Sequence, residues 1–318
     1  VAPVITNCIL WDNADALNGC TATYSCIKNT EDASGLGNIT SNPDFISRSS
    51  ASMDNLSLKY YLDRGSPCMD AGDPAGIYFA ETDIEGQARL ARRIDMGADE
   101  VCEVYNSTKD QWYETIQQAI NNADVNTPNL IQAYPWTYYE NINFMGKPVT
   151  LTGINPDDWD VVETTVIRAA NCNIATVMFN SGEDPNSAIT GFTITNSDYG
   201  IYCNNNSSPL ITCCLIQGND NGIYCNSGSP IIARNKISDN GNYSISGQAG
   251  IVSHSLTPPL IKNNWIYDND NGILFTSASS EALVYNNTIF HNYNTSSSTD
   301  GVGFSVISGT APVDKNCI

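Results

Sequence analysis

The sequence predicts an all-β solenoid, in which short strands wind into stacked coils and one short helix near residues 110–123 closes the start of the stack. Three observations predict it. A block of apolar strand and polar turn recurs about every 22 residues through the second part of the chain. Hydrophobic residues make up 41% of the 318 positions and charged residues only 15%, the polar remainder being mostly Asn, Ser, Thr and Gly. That composition suits strands broken by tight turns. A single amphipathic stretch precedes the first repeat.

The repeat is plain once aligned. Gly200-Ile201-Tyr202-Cys203 returns 22 residues later as Gly222-Ile223-Tyr224-Cys225, and the series continues with Gly250-Ile251-Val252, Gly272-Ile273-Leu274 and Gly303-Phe304-Ser305. A polar turn and a second apolar stretch follow each: 210–216, 231–237, 260–266, 283–289 and 313–318. The final isoleucines of these stretches are 21, 29, 23 and 29 residues apart, the longer steps carrying polar insertions at 240–247 and 294–299. One such unit cannot bury its apolar face alone; units stacked about 4.8 Å apart can, each strand pairing with its counterpart in the next coil.

Stacking makes columns. Asn235, Asn264, Asn287 and Asn316 all lie two residues before a final isoleucine, and Asn7 does so near the start of the chain. The spacing predicts one ladder of side-chain amides bonded along the axis. Cys203 and Cys225 are expected to stack likewise, as an apolar thiol ladder or as a disulfide.

These residues together resemble the right-handed parallel β-helix family, the pectate-lyase-like superfamily, over roughly residues 125–318. The resemblance implies the fold and its hand. It implies no activity, because the family holds lyases, hydrolases, epimerases, adhesins and purely structural proteins.

The helix is read from Trp112, Ile116, Ala119, Ile120 and Ala123, which fall on one helical face, with Thr108 and Gln111 as a capping box. Trp136-Thr137-Tyr138-Tyr139-Glu140-Asn141-Ile142 then resembles the first coil of a β-helix, whose capping helix covers strand edges that would otherwise aggregate. A new solenoid therefore starts near residue 105, dividing the chain into 1–100 and 101–318.

Residues 1–100 read as the end of a solenoid rather than its beginning. Their last phrase, Arg93-Ile94-Asp95-Met96-Gly97-Ala98-Asp99-Glu100, resembles the C-terminal region of large secreted bacterial surface proteins of the choice-of-anchor type. The carboxylates Asp70, Asp73, Asp83, Glu85 and Asp95 alternate here with Arg89, Arg92 and Arg93. They are expected to form an ion-pair and turn network, with a Ca²⁺ site made of two or three of them as the alternative. Ca²⁺ is the only cofactor the sequence suggests.

The chain also repeats its own opening. Ala2-Pro3-Val4-Ile5-Thr6-Asn7-Cys8-Ile9 and Ala311-Pro312-Val313-Asp314-Lys315-Asn316-Cys317-Ile318 agree at six of eight positions, 309 residues apart. This predicts a head-to-tail junction made by Pro3, Val4, Ile5, Asn7 and Ile9 of one unit and Pro312, Val313, Asn316 and Ile318 of another, whether covalent in a tandem array or by edge pairing between subunits.

Charge and cysteine content exclude several classes. The net charge is −20, with 14 basic against 34 acidic residues and no basic run, which argues against nucleic-acid binding. No apolar stretch reaches the roughly 18 residues that cross a membrane. With two histidines and no Cys-x-x-Cys pair a zinc site is not expected. Eleven cysteines, ten once the duplicated Cys8 and Cys317 are counted together, point to an oxidising, extracellular setting with some disulfides. No leader and no initiator Met are visible, as in a mature or internal segment.

No catalytic set stands out. Asn219-Asp220-Asn221-Gly222 and Asn269-Asp270-Asn271-Gly272 precede the repeat glycine, where turn geometry favours those residue types. His254 and His291 have no evident partner. The expected function is an extracellular or cell-surface structural or adhesive solenoid that assembles with itself into a filament or array. The alternative is a polysaccharide-active enzyme or carbohydrate-binding module, with Trp136, Tyr138, Tyr139, Tyr202 and Tyr224 along a sugar groove.

Overall fold

The structure, a computed structural model, describes residues 2–30, 32–45, 62, 66–76, 94–98, 104–241, 247–255, 257, 259–276, 283–293, 301–307 and 313–317. It divides into two compact units. One holds Val1–Cys102 with Trp112–Glu114, the other Glu103–Gln111 with Thr115–Ile318.

The larger unit is a right-handed parallel β-helix of triangular cross-section. Its first face stacks Asn129–Ala133, Val149–Gly153, Ala188–Thr190, Leu210–Thr212, Ile231–Ala233, Leu260–Lys262, the first half of Leu283–Phe290, and Val313–Cys317. The second face stacks Thr137–Tyr139, Val166–Arg168, Thr193–Thr195, Leu215–Gln217, Lys236–Ser238, Trp265–Tyr267 and the second half of Leu283–Phe290. The third has seven strands, Ile142–Asn143, Val177–Phe179, Tyr199–Cys203, Asn221–Cys225, Ile251–Ser253, Ile273–Phe275 and Phe304–Val306. Each of the apolar stretches at 210–216, 231–237 and 260–266 is thus two strands folded round a corner.

Register holds from coil to coil, so like residues stack. Ile189, Ile211, Ile232 and Ile261 pair in succession and are fully buried, as are Ile194, Ile216, Ile237 and Ile266 on the second face and Ile201, Ile223, Ile251 and Ile273 on the third. Each such side chain contributes about 1.5–3 kcal/mol by leaving water. Register of this inward set is kept across the longer coils.

A glycine stands at the start of the third-face strands from Tyr199–Cys203 onwards because coils approach closely at that corner. A Cβ on Gly200, Gly222 or Gly272 would lie 2.6, 2.5 or 2.3 Å from the carbonyl oxygen of the glycine in the next coil, Gly222, Gly250 or Gly303.

Helix α1 (Ile116–Asn122) is shorter than the sequence suggests. Its cap is Thr115, whose side chain accepts from the Gln118 amide, while Thr108 Oγ1 accepts instead from Leu130 N. Gln111–Tyr113 is a strand. The aromatic pair Trp112-Tyr113 suits an extended backbone, and that preference overrides the helical spacing. The helix packs on Val104–Asn106, Asn129–Ala133 and Ile142–Asn143, over the first coil. Glu140 accepts from Ile116 N and Gln117 N, both at 2.9 Å, and Lys147 Nζ donates to Ile120 O at 2.9 Å and Asn121 O at 2.6 Å. An anion sits at the helix N-terminus and a cation at its C-terminus, the arrangement the helix dipole favours. A second helix, α2 (Trp159–Thr164), was not anticipated; it occupies the turn before Val166–Arg168 and is capped by Asp158.

The smaller unit carries the same design in miniature. Val4–Thr6 pairs in parallel with Thr21–Thr23, Ile9–Leu10 with Cys26–Ile27, and Cys26 bridges to Ile39. Cys26, Leu62, Cys68 and Met96 form its core, with Ile9, Trp11, Tyr24, Ile39 and Phe45 packed on them.

Candidate functional site

The features that bear on function are two strand edges without a partner strand among the described residues, the corner columns that set their geometry, and the outer aromatic strip.

At the first corner of the β-helix a residue with positive φ is followed by an inward amide. The φ values are 51° at Cys213, 60° at Arg234, 58° at Asn263 and 57° at Asn286. Cys214 N then donates to Asn235 Oδ1 at 3.0 Å, Asn235 Nδ2 to Asn264 Oδ1 at 3.1 Å, and Asn264 Nδ2 to Asn287 Oδ1 at 2.9 Å. This is the expected ladder. Cys214 fills its lower end, and burial pushes that thiol up to about 12.

Asn7 does not belong to it. Asn7 is the positive-φ corner residue, at 56°, and Cys8 takes the inward place, its amide donating to Ser25 Oγ at 3.1 Å. Ser25 N in turn donates to Asn38 Oδ1 at 2.9 Å. The reason is that strand Val4–Thr6 ends one residue earlier than the alignment on the final isoleucine assumes, so Leu10, not Ile9, matches Ile216 and its kin. Asn7 Oδ1 accepts from Asp73 N at 2.7 Å and Asn7 O from Gly97 N at 2.8 Å. Asn316 lies in Val313–Cys317, and its side chain is outside the described residues.

The second corner has its own ladder, which sequence reasoning missed. Ser197 Oγ donates to Asn219 Oδ1 at 3.1 Å, and Asn219, Asn240, Asn269 and Asn292 follow in a chain of amide bonds of 3.2, 2.9 and 3.0 Å. The signal was present: an asparagine stands three residues after each of Ile216, Ile237, Ile266 and Ile289.

Of the junction residues, Val4 and Ile5 lie in a strand whose one partner among the described residues is Thr21–Thr23, and Pro3 O accepts from Thr21 N at 3.0 Å. Ile9 pairs with Cys26 and has no partner strand on its other side among the described residues. Parallel strands direct successive residues to alternate sides. With Pro3 bonded inward, Val4 directs its amide and carbonyl to the open edge, and its side chain is 61% exposed. Val313–Cys317 pairs with Leu283–Phe290 alone among the described residues. Pro312 and Ile318 are outside the described residues.

Asp70 and Asp95 come together in the smaller unit: buried Asp95 accepts from Asp70 N at 2.7 Å, while Asp73 accepts from Ala75 N at 2.9 Å in its own turn. Asp83 and Glu85 lie outside the described residues. Among the described residues no three His, Cys, Asp or Glu side chains are grouped to hold a metal.

No disulfide joins the described cysteines. Cys203 and Cys225 stack in register, and the hydrogen bond between them, with burial, keeps the Cys203 thiol well above its ordinary range. Outside them runs an aromatic strip: Tyr202 lies on Tyr224 at 5.9 Å and 25°, Tyr199 is 4.7 Å from Tyr224, and His254 is 5.1 Å from Tyr224. Burial raises the Tyr199 and Tyr224 hydroxyls above their ordinary value. Tyr139 is exposed and Trp136 half-buried, but Tyr138 is core, its hydroxyl donating to Tyr134 O at 2.8 Å. Both histidines have partners, His254 bonding to Thr276 and His291 to Asp268.

Residues 161–289 match the family model described as a right handed beta helix region. Neither the curated proteins nor the solved structures gave a match. No helix among the described residues is long and apolar enough to cross a membrane.

Proposed function

We propose that this chain is the repeat unit of an extracellular structural or adhesive solenoid, extended head to tail through its strand edges. One observation carries the reading: the same phrase lies on the last strand of the larger unit and the first strand of the smaller one, and each strand has an edge without a partner among the described residues. Parallel stacking is polar within each unit: Val313–Cys317 leaves the edge after it, and Val4–Thr6 the edge before it, without a partner strand among the described residues, so an edge of one chain can pair with the other edge of the next. The likeness of 93–100 to secreted surface proteins supports placing the assembly outside the cell.

Val4→Pro tests this. It removes an amide aimed at the open edge and leaves the pairing with Thr21–Thr23 intact. Concentrated wild-type protein is expected to image as fibres with one axial repeat per chain, and Val4→Pro to keep the circular dichroism and melting of the wild type without fibres. A wild type that stays a monodisperse monomer at all concentrations sinks the proposal.

The stacked Tyr202 and Tyr224 favour a second reading, a carbohydrate-binding face. Glycan retention lost in Tyr224→Ala and kept in Val4→Pro supports it.

A further inference from the structure

Asp270 is the feature that the fold leaves unexplained. It is 1% exposed, and both carboxylate oxygens are buried with no hydrogen-bond partner among the described residues. An isolated buried carboxylate is among the costliest groups a protein can hold. This fold accommodates one elsewhere in the ordinary way: Glu183, 2% exposed, accepts from Gly146 N and Ser181 N at 2.9 and 2.9 Å and from Ser207 Oγ at 2.6 Å. Asp270 has no such donors among the described residues.

Its neighbours come from the second corner ladder. Asp198, Asp220, Gly241, Asp270 and Tyr293 each follow a ladder residue. Backbone bonds from Asp220 N to Ser197 O, Gly241 N to Asn219 O, Asp270 N to Asn240 O and Tyr293 N to Asn269 O place them in one axial column. Gly241 is the gap in that column. A Cβ built on it would stand 2.3 Å from Asp270 Cγ and 2.6 Å from Oδ2, so the Asp270 carboxylate leans over Gly241 into the space a side chain would fill, on the side of Asp220. Asp220 and Asp270, two coils apart, have Cα atoms about 10 Å from each other. That separation lets two carboxylates reach towards one ion.

We propose that Asp270 and Asp220 bind a divalent cation of the Ca²⁺ type over Gly241, with Gln248 holding Asp220 in place. Oxygen-only donors select a hard cation, and the longer bonds and flexible geometry of Ca²⁺ suit two carboxylates completed by water and carbonyl oxygens better than the tight octahedron of Mg²⁺. Electrostatics agree with the geometry. Burial, then the charge of Asp220, raises Asp270; burial, then Asp198, raises Asp220, while a hydrogen bond from Gln248 opposes that rise. The site stands whether or not the chain assembles.

The test uses the full chain stripped with EDTA and titrated with CaCl₂, followed by calorimetry and melting. Wild type is expected to bind Ca²⁺ and melt higher with it. Asp270→Asn should weaken binding by about tenfold or more and, without Ca²⁺, melt above the stripped wild type, because the amide keeps the shape and removes the charge. Asp220→Asn, a half-exposed position, should weaken binding too and serves if Asp270→Asn does not fold. Equal Ca²⁺ responses in wild type and both variants would place the ion elsewhere and overturn the proposal. So would a wild type that ignores Ca²⁺, since a proton would then be what neutralises Asp270.

Discussion

A ladder asparagine works because an amide has two donors and two lone pairs, and the corner uses all of them. The two N–H groups of Asn264 Nδ2 are shared among Ile232 O and Lys262 O, both at 3.0 Å, and Asn287 Oδ1 at 2.9 Å, while its Oδ1 accepts from Asn235 N and Nδ2. An aspartate lacks the donors, and an alanine strands buried backbone groups. Asn264→Ala is therefore expected to cost about 3 kcal/mol, read as a lower urea midpoint, because each orphaned buried group costs about 1–3 kcal/mol. Asn292→Ala, at the half-exposed end of the other ladder, should cost about 1 kcal/mol. Equal losses at the two positions would show that the ladder is not what stabilises the corner.

At the scale of the element, the leading glycine of each repeat is a packing requirement. Gly222→Ala would set a methyl against Gly250 O and force two coils apart, a strain of about 1–3 kcal/mol. A melting temperature unchanged in that variant would show that the corner yields. Other elements depended on competition that spacing does not report. Trp112 has the right period for a helix and lies in a strand; Thr115, unremarkable in the pattern, is the true cap. Asn7 has the right distance from Ile9 for the ladder and sits one place outside it, because the strand ends at Thr6.

At the scale of the whole molecule, stability in a solenoid is close to a sum over neighbouring coils. The first coil of the larger unit is covered by α1 and clamped by Glu140 and Lys147. The last strand has one partner among the described residues. Hydrogen exchange on the monomer should therefore show strong protection in the middle coils, around 188–225, falling towards 283–317. Assembly should raise protection at 313–317 and at 4–6 and leave the middle unchanged. Uniform protection in the monomer would contradict coil-by-coil stability.

The sequence by itself determined much of what recurs: the inward isoleucines, the leading glycines, the corner amides of 235, 264 and 287, and through them an all-β solenoid. These are legible because stacking in register demands the same residue type in each coil. Only the tertiary structure decided which residues share a column when coils differ by up to eight residues in length. That assignment put Cys8 where Asn7 was expected and set Asp270 over Gly241. The reason is physical. Periodicity reports which side chains turn inward, whereas a column is made by hydrogen bonds between coils, and insertions change its members without changing the period.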